Sequence, residues 1–310
     1  MTQVMKAVVQ RAFGGPEVLE LAEVARPEPG PDEVGVRVLA AGVNPVDWKL
    51  RSGAIPAGPP PPYVPGFEIS GVVEAVGAGV TRYAAGDEVF GMLMSGTGGY
   101  AEYAVAPAAT LAPKPAAISH VQAVALPVAT LTTWAALVTA ADLKAGQRVL
   151  IHAAGGAVGH VAVQLAKARG AYVLGTARAS KHELLRELGA DELIDYTAVD
   201  FAEVAGQVDA VFDLVGGDYA PRSLPTLRPG GIYLDALGVE QLRPEFEANG
   251  LRYVRIHLEP AEGALDHAAA LAAEGRLRII AELTFPLADA AQAHKTSETG
   301  RSTGKIVLTP

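Results

Sequence analysis

The chain has 310 residues, half of them hydrophobic and 19% charged, with a net charge of −9. That length suits two domains better than one core, and the acidic balance argues against nucleic acid or an anionic membrane as a partner. The absence of cysteine excludes disulfides, a thiol nucleophile and any cysteine-ligated zinc.

In chain order, residues 1–115 read as a β-rich domain. Met5–Val9, Leu19–Val24, Glu33–Ala41 and Ile69–Val76 are short strand-like runs, divided by turn signals such as Gly14-Gly15-Pro16 and Gly77 to Gly79. GAIPAGPPPPYVPG, from Gly53 to Gly66, holds six prolines. Proline removes the backbone donors of regular structure, so this stretch is expected to be an extended surface loop. Tyr63 within it is either a pocket aromatic or the loop's anchor. GDEVFG from Gly86 and GGYAEY from Gly98 continue the strand-and-turn pattern. Ser119–Ala141 carries Ala, Leu and Val at helical spacing, with Pro127 forcing a break or restart. No apolar run reaches the roughly 18 residues that span a bilayer, and the N-terminus MTQVMKAVVQ lacks the form of a secretion signal. A cytoplasmic protein without membrane partners is expected.

Arg148 to Gly170, RVLIHAAGGAVGHVAVQLAKARG, reads as a buried strand, a glycine turn and a helix. In that order the glycines carry meaning. Gly156 lets the backbone approach a pyrophosphate resting on the helix N-terminus, and Gly159 lets helix and strand pack closely. Ala154, Gly155, Ala157 and Val158 complete the candidate cradle. The spelling is AxxGxxG from Ala153, without the usual first glycine, and an ordinary strand-to-helix turn has the same composition. Beyond it the pattern alternates: strand Ala171–Thr176, helix Ser180–Leu188, then strands at Leu193–Asp195, Ala210–Leu214, Gly231–Asp235 and Arg252–Ile256, and a helix Ala261–Ala273. This is the signature of a doubly wound parallel sheet. Strand texture returns at Leu277–Leu283 and in GKIVLTP from Gly304.

In a dinucleotide fold, an acid at the end of the second strand binds the ribose hydroxyls of NAD. Here that position is Thr176-Ala177-Arg178, followed by Ser180 and Lys181. No acid is present, and cations and donors suit a 2′-phosphate, so NADP(H) is favoured. Ser180 with Glu183 also spells a capping box, and Lys181 also reads as a surface lysine.

Gly42 to Asp47, PGFEISGVVEAVG from Pro65, GDEVFG, GGYAEY, LPVATLTTW from Leu126, LIHAAGGAVG from Leu150, DLVGG from Asp213 and the closing GKIVL resemble the medium-chain dehydrogenase/reductase superfamily, in its zinc-free, ζ-crystallin-like quinone oxidoreductase branch. The resemblance implies an α/β protein: a GroES-like β-barrel domain (1–122 and 276–310) interrupted by a Rossmann domain (123–275), with NADP(H) in the cleft between them. It also implies a homodimer. Where zinc-dependent relatives have a Cys and a GHE histidine, this chain has Asn44-Pro45-Val46-Asp47 and Gly66-Phe67-Glu68. A metal-free enzyme is therefore expected. The seven histidines read as isolated surface or helix residues, with His152 packing at the end of the first parallel strand.

The implied chemistry is hydride transfer to a small-molecule acceptor, a quinone or an α,β-unsaturated carbonyl. Asn44 matches a position lining the site, with Asp47 and Trp48 beside it; a turn is the competing explanation for Asn44-Pro45. Thr132 matches the threonine approaching the nicotinamide, although a helix threonine bonding its own backbone would look the same. Tyr196 matches an aromatic near the 2′-phosphate. Val215, Gly216, Gly217, Leu237, Gly238, Arg301 and Lys305 match further cofactor contacts. An enoyl-thioester reductase and a non-catalytic NADPH-binding protein are the alternatives.

Overall fold

A computed structural model describes residues 3–55, 58–93, 98–281 and 283–310. The chain divides into two compact units. The first holds residues 1–127, 265–274 and 279–310; the second holds residues 128–264 and 275–278. Seven strands come before residue 127: β1 (Val4–Gln10), β2 (Leu19–Ala25), β3 (Glu33–Val43), β4 (Glu68–Val76), β5 (Glu88–Met92), β6 (Tyr103–Pro107) and β7 (Leu111–Pro113). The second unit carries β8 (Arg148–Ile151), β9 (Tyr172–Thr176), β10 (Glu192–Ile194), β11 (Val208–Asp213), β12 (Leu227–Asp235) and β13 (Arg252–Arg255). Two strands close the chain, β14 (Leu283–Pro286) and β15 (Ile306–Thr309).

In the first unit β1 pairs with β2, and a larger sheet runs β14-β15-β3-β4-β5-β7, with β6 also on β3. Every pairing is antiparallel except β14 with β15. Alternation along β3 turns Val34, Val36 and Val38 inward, onto a core with Ile69, Val73, Val89, Leu111 and Leu308. In the second unit the order is β10-β9-β8-β11-β12-β13, all parallel. This is the six-strand order of a dinucleotide fold, and the loops at the carboxyl ends of β8 and β11 flank the point where it reverses. Both faces are covered: Val149, Ile151 and Val173 lie in one apolar cluster, Leu150, Leu174 and Val211 in another. That explains why these strands read as continuous apolar runs.

Three details differ from expectation. In the stretch expected as strand Leu277–Leu283, residues 277–280 form none, and residue 282 lies outside the described residues. Gln164 holds that backbone instead, accepting from Arg278 N–H at 2.7 Å and donating to Arg278 O at 2.9 Å. The helix expected from Ser180 is a 3-10 turn, Ala179–Lys181, then a helix His182–Glu187. Neither has a side-chain cap, so the Ser180–Glu183 capping box does not form. The helical stretch His120–Ala140, at 21 residues, is long and apolar enough to cross a membrane by length and composition. Most of it is buried within the protein, so it also fits a core helix. It breaks and restarts at Pro127, as expected, and ends in a π-helical stretch Trp134–Ala140 that the sequence pattern did not indicate.

The helix Gly159–Ala168 packs hard against the turn that precedes it. A Cβ on Gly159 would lie 2.2 Å from Ala153 O and 2.7 Å from Ala154 Cα, and backbone atoms cannot step aside as a side chain can. Gly159→Ala should therefore lose about 1–3 kcal/mol of stability, measured by denaturant unfolding; an unchanged midpoint would remove this close-packing role.

Candidate active site

The ends of β3, β4 and β15 bring a buried polar cluster together in the first unit. Ile306 pairs with Val43 and Ala41 pairs with Ile69, so Lys305, Asn44 and Glu68 follow at the adjoining strand ends. Lys305 Nζ donates to Asn44 Oδ1 at 2.6 Å and forms an ion pair with Glu68. Asn44 Nδ2 donates to Glu68 Oε1 at 2.8 Å. All three side chains are buried.

Pro45 starts the next helix, Pro45–Arg51, with its fixed φ. Asp47 Oδ2 accepts from Asn44 N–H at 2.7 Å and from Tyr100 O–H at 3.0 Å. From Tyr100 a chain of contacts runs outward. Tyr100 Oη lies 3.1 Å from His294 Nε2, and His294 Nδ1 lies 3.1 Å from Arg51 Nη1. Arg51 Nη2 donates to Glu298 Oε1 at 2.7 Å. Arginine only donates, so it donates to Nδ1, leaving Nε2 to carry the proton and donate to Tyr100. From Arg51 Nη1 inward, each donor thus points toward Asp47, while Arg51 Nη2 points outward to Glu298. Burial raises the Asp47 acid to about 7, opposed by the Asn44 and Tyr100 donors and by Lys305. Burial, then Arg51, lowers His294 to about 3. Asp47 Oδ1 and Trp48 Nε1 are buried without a partner among the described residues.

In the second unit the candidate cofactor residues gather at the carboxyl ends of the parallel strands. Ala153, where the usual fingerprint has glycine, adopts φ +50°, a left-handed conformation that alanine enters at a cost. Thr176 holds it there. Its hydroxyl accepts from Ala153 N–H at 3.3 Å and its carbonyl from Ala154 N–H at 3.0 Å. The same hydroxyl lies 3.2 Å from His152 Nδ1, and His152 Nε2 lies 2.9 Å from Ser223 Oγ. Ser223 donates its own proton to Tyr219 O, so Nε2–H donates to Ser223 and Thr176 donates to Nδ1. His152 is fully buried, and desolvation lowers it to about 3. It braces the turn, consistent with the packing role expected from the sequence.

Beyond β9, Arg178 and Ser180 are exposed and Lys181 is half-buried beside Gly155. Arg178 Nε donates to Tyr196 Oη at 3.2 Å. The loops after β11 and β12 hang from two buried aspartates. Asp213 accepts from Val215 and Gly216 N–H and from Tyr233; Asp235 accepts from Leu237, Gly238 and Val239 N–H and from Tyr253. Gly216, Gly217 and Gly238 take positive φ.

Two family models match: an alcohol dehydrogenase GroES-like domain over residues 30–116 and a zinc-binding dehydrogenase domain over 188–308. Quinone oxidoreductase of Sus scrofa is 35% identical across 99% of this chain and 98% of its own. A chloroplastic quinone-oxidoreductase homolog of Spinacia oleracea is 33% identical with 99% coverage of both. Among solved structures, quinone oxidoreductase from Coxiella burnetii superposes with a TM-score of 0.93 at 33% identity, covering 99% of this chain and all of that one. The Escherichia coli quinone oxidoreductase complexed with NADPH gives 0.86 at 32% identity, over 98% of this chain and all of that one. The chain belongs to the quinone oxidoreductase branch of the medium-chain dehydrogenase/reductase superfamily. As such it is an NAD(P)-dependent oxidoreductase acting on a small molecule, built from a GroES-like domain and a Rossmann-like sheet.

Of the residues singled out in the sequence, Asn44 and Asp47 join one hydrogen-bonded cluster, with Trp48 on the same helix. Lys305, expected near the cofactor, has its ammonium on Asn44 and Glu68, and Arg301 is exposed in the same unit. Ala154 to Gly159, Thr176 to Lys181, Tyr196, Val215 to Gly217, and Leu237 and Gly238 share the carboxyl end of the parallel sheet. Thr132 Oγ1 donates to Val128 O at 2.7 Å, the backbone-bonded arrangement that was its competing explanation. Sequence reasoning missed Glu68, Tyr100, Arg51 and His294. Nor are the histidines all isolated: His120 lies 2.8 Å from Ser70 Oγ and 3.3 Å from Glu88.

His152 and His294, two of the buried histidines, set the sign of the acid response. Both stay neutral in the folded chain down to about pH 3 while the unfolded chain protonates them near 6.5. Their stabilisation is present above 6.5 and is lost as pH falls, each by up to about 1.4 kcal/mol per pH unit. Asp47 acts oppositely: its contribution is present below about pH 4 and is lost as pH rises toward 7. In denaturant titrations from pH 7 to 4, stability should fall with pH, and His294→Gln, which can keep both hydrogen bonds, should show a shallower fall. Equal slopes would show that His294 is not held neutral.

Proposed function

We propose that this protein is an NADPH-dependent reductase of quinones or α,β-unsaturated carbonyls that works without a metal. The observation that carries the choice of NADPH lies beyond β9. The strand end itself, Thr176-Ala177-Arg178, carries no acid, while Arg178, Ser180 and Tyr196 are exposed together with Lys181 close by. A 2′-phosphate offers oxygens to match a guanidinium and hydroxyls, and an acid would repel it.

The residues present fit the dinucleotide. A Cβ on Gly156 would meet only Ala153 O, at 3.2 Å, so the space above it is free for a pyrophosphate at the start of Gly159–Ala168. The bound nicotinamide supplies the hydride. The chain's own part is to bind, orient and stabilise charge: the glycine turn and the Asp213 and Asp235 loops hold the cofactor, with Thr132 near its nicotinamide. Asn44 donates to the oxygen on which negative charge collects as the acceptor is reduced, and that oxygen then takes a proton from solvent. Asp47 and Trp48 shape the surroundings of Asn44.

The metal-free reading is supported by the chain's lack of cysteine and by Phe67 beside Glu68, where a ligand would be required. The net charge of −9 supports a protein without nucleic-acid or membrane partners, which we place in the cytoplasm. The edge position of β13 offers unpaired backbone to a second copy, and we take the protein to be a homodimer.

NADPH oxidation should be followed with 1,4-quinones, enones and crotonyl-type thioesters. Turnover of quinones or enones with a KM for NADPH at least about ten-fold below that for NADH is expected, and Arg178→Ala should narrow that gap by about 1–3 kcal/mol. A preference for NADH would overturn the phosphate assignment. Thioester-only turnover, or NADPH binding with no oxidation, would overturn the substrate class. Gly156→Val should remain folded yet lose NADPH affinity; unchanged affinity would displace the pyrophosphate from this turn.

A further inference from the structure

We propose that Lys305 and Glu68 are positioning residues for Asn44: together they fix the rotation of its carboxamide and polarise its remaining N–H toward the acceptor oxygen. The proposal rests on the reading above in which Asn44 faces the acceptor.

A carboxamide has two orientations that differ only by exchanging oxygen and nitrogen. Here chemistry selects one. An ammonium can only donate, so Oδ1 must face Lys305; an ionised carboxylate can only accept, so Nδ2 must face Glu68. Reversal would set N–H against ammonium and oxygen against carboxylate. Nδ2 keeps a second hydrogen, which no described residue accepts. Electron density drawn toward Lys305 at the oxygen end makes that hydrogen a better donor, since hydrogen bonds in series polarise one another.

Two glycines make the arrangement fit. A Cβ on Gly42 would lie 2.3 Å from Glu68 Oε1, and one on Gly304, at φ +64°, would lie 2.1 Å from Ile280 O. The first clears space for the carboxylate. The second lets Lys305 N–H bond Ile280 O at 2.8 Å, which seats the lysine at the head of β15. A lysine at 1% exposure and a glutamate at 0% carry a large desolvation cost, and an apolar pair would fill the space without it. Holding Asn44 in one orientation is a use for the pair that an apolar replacement could not provide.

The test exploits composition. The chain has two asparagines, Asn44 and Asn249, so selective 15N labelling of asparagine side chains gives two amide pairs in an NMR spectrum. Asn249, which donates to Glu245 O at an exposed site, is the internal reference. In the wild type the Asn44 pair should be widely split, with one slowly exchanging proton. Lys305→Met and Glu68→Gln should each collapse that splitting and lower kcat at least about ten-fold while KM for NADPH stays within about two-fold. Lys305→Arg should recover part of kcat. If either single variant fails to fold, K305M/E68Q removes both charges at once and is read instead. Unchanged Asn44 signals in a folded variant, or a moved signal with unchanged kcat, overturns the proposal. A wild type that turns over no acceptor overturns the reductase reading instead, and the labelled amide still reports on the orientation.

Discussion

Burying a lysine against a glutamate constrains the first unit more than any other contact in it. Each ion leaves water at an effective cost of several kcal/mol, about as much as a large core side chain gains by burial. That cost is offset only by close contact and by further hydrogen bonds to the remaining polar atoms. The surrounding structure follows from this requirement. β15 lies against β3, and β3 against β4, so that residues far apart in sequence adjoin. Glycine stands at Gly42 and Gly304 because any side chain would occupy carboxylate or backbone space. Asn44 bridges both ions because a carboxamide alone, among uncharged side chains, presents an acceptor and a donor side by side.

The rest of the polar architecture repeats one device, a buried carboxylate that collects donors. Asp47 receives the Asn44 amide and the Tyr100 hydroxyl. At the ends of β11 and β12, Asp213 and Asp235 each receive a row of backbone N–H groups and one tyrosine hydroxyl. Where the donors are backbone amides, a loop is fixed from within and its outer surface stays free. Where they are side chains, two helices are tied instead: Arg51 ends the helix Pro45–Arg51, while His294 and Glu298 stand on Ala290–Glu298.

Much of the fold was legible because its signals are local. Two-residue alternation along β3, apolar runs in β8, β9 and β11, and a glycine turn between strand and helix depend on nearby residues. The conformation of Ala153 was not legible, since the left-handed turn is imposed by Thr176 from the neighbouring strand. Nor was the backbone at Arg278, which is held by Gln164 from 114 positions away. Asn44 and Asp47 could be found from motif text, but their partners could not. Arg51 meets Glu298 across 247 positions and Lys305 meets Asn44 across 261, and no periodicity records such a pairing. The motif around Lys305 points toward the cofactor, and nothing near it in sequence marks Asn44 and Glu68 as its partners.

The position of β15 also orders events during synthesis. The sheet of the first unit takes its β14 and β15 from residues 283–309, whereas all six strands of the parallel sheet have emerged by Arg255. On the ribosome the segment made first must therefore wait, with the edge of β3 that β15 will cover still open, while the segment made second can finish its sheet. Closure of the older half waits until Lys305 arrives to neutralise a glutamate made 237 residues earlier. A nascent chain truncated before Gly304 leaves that carboxylate without its cation, which makes the arrival of β15 a checkpoint for the first sheet.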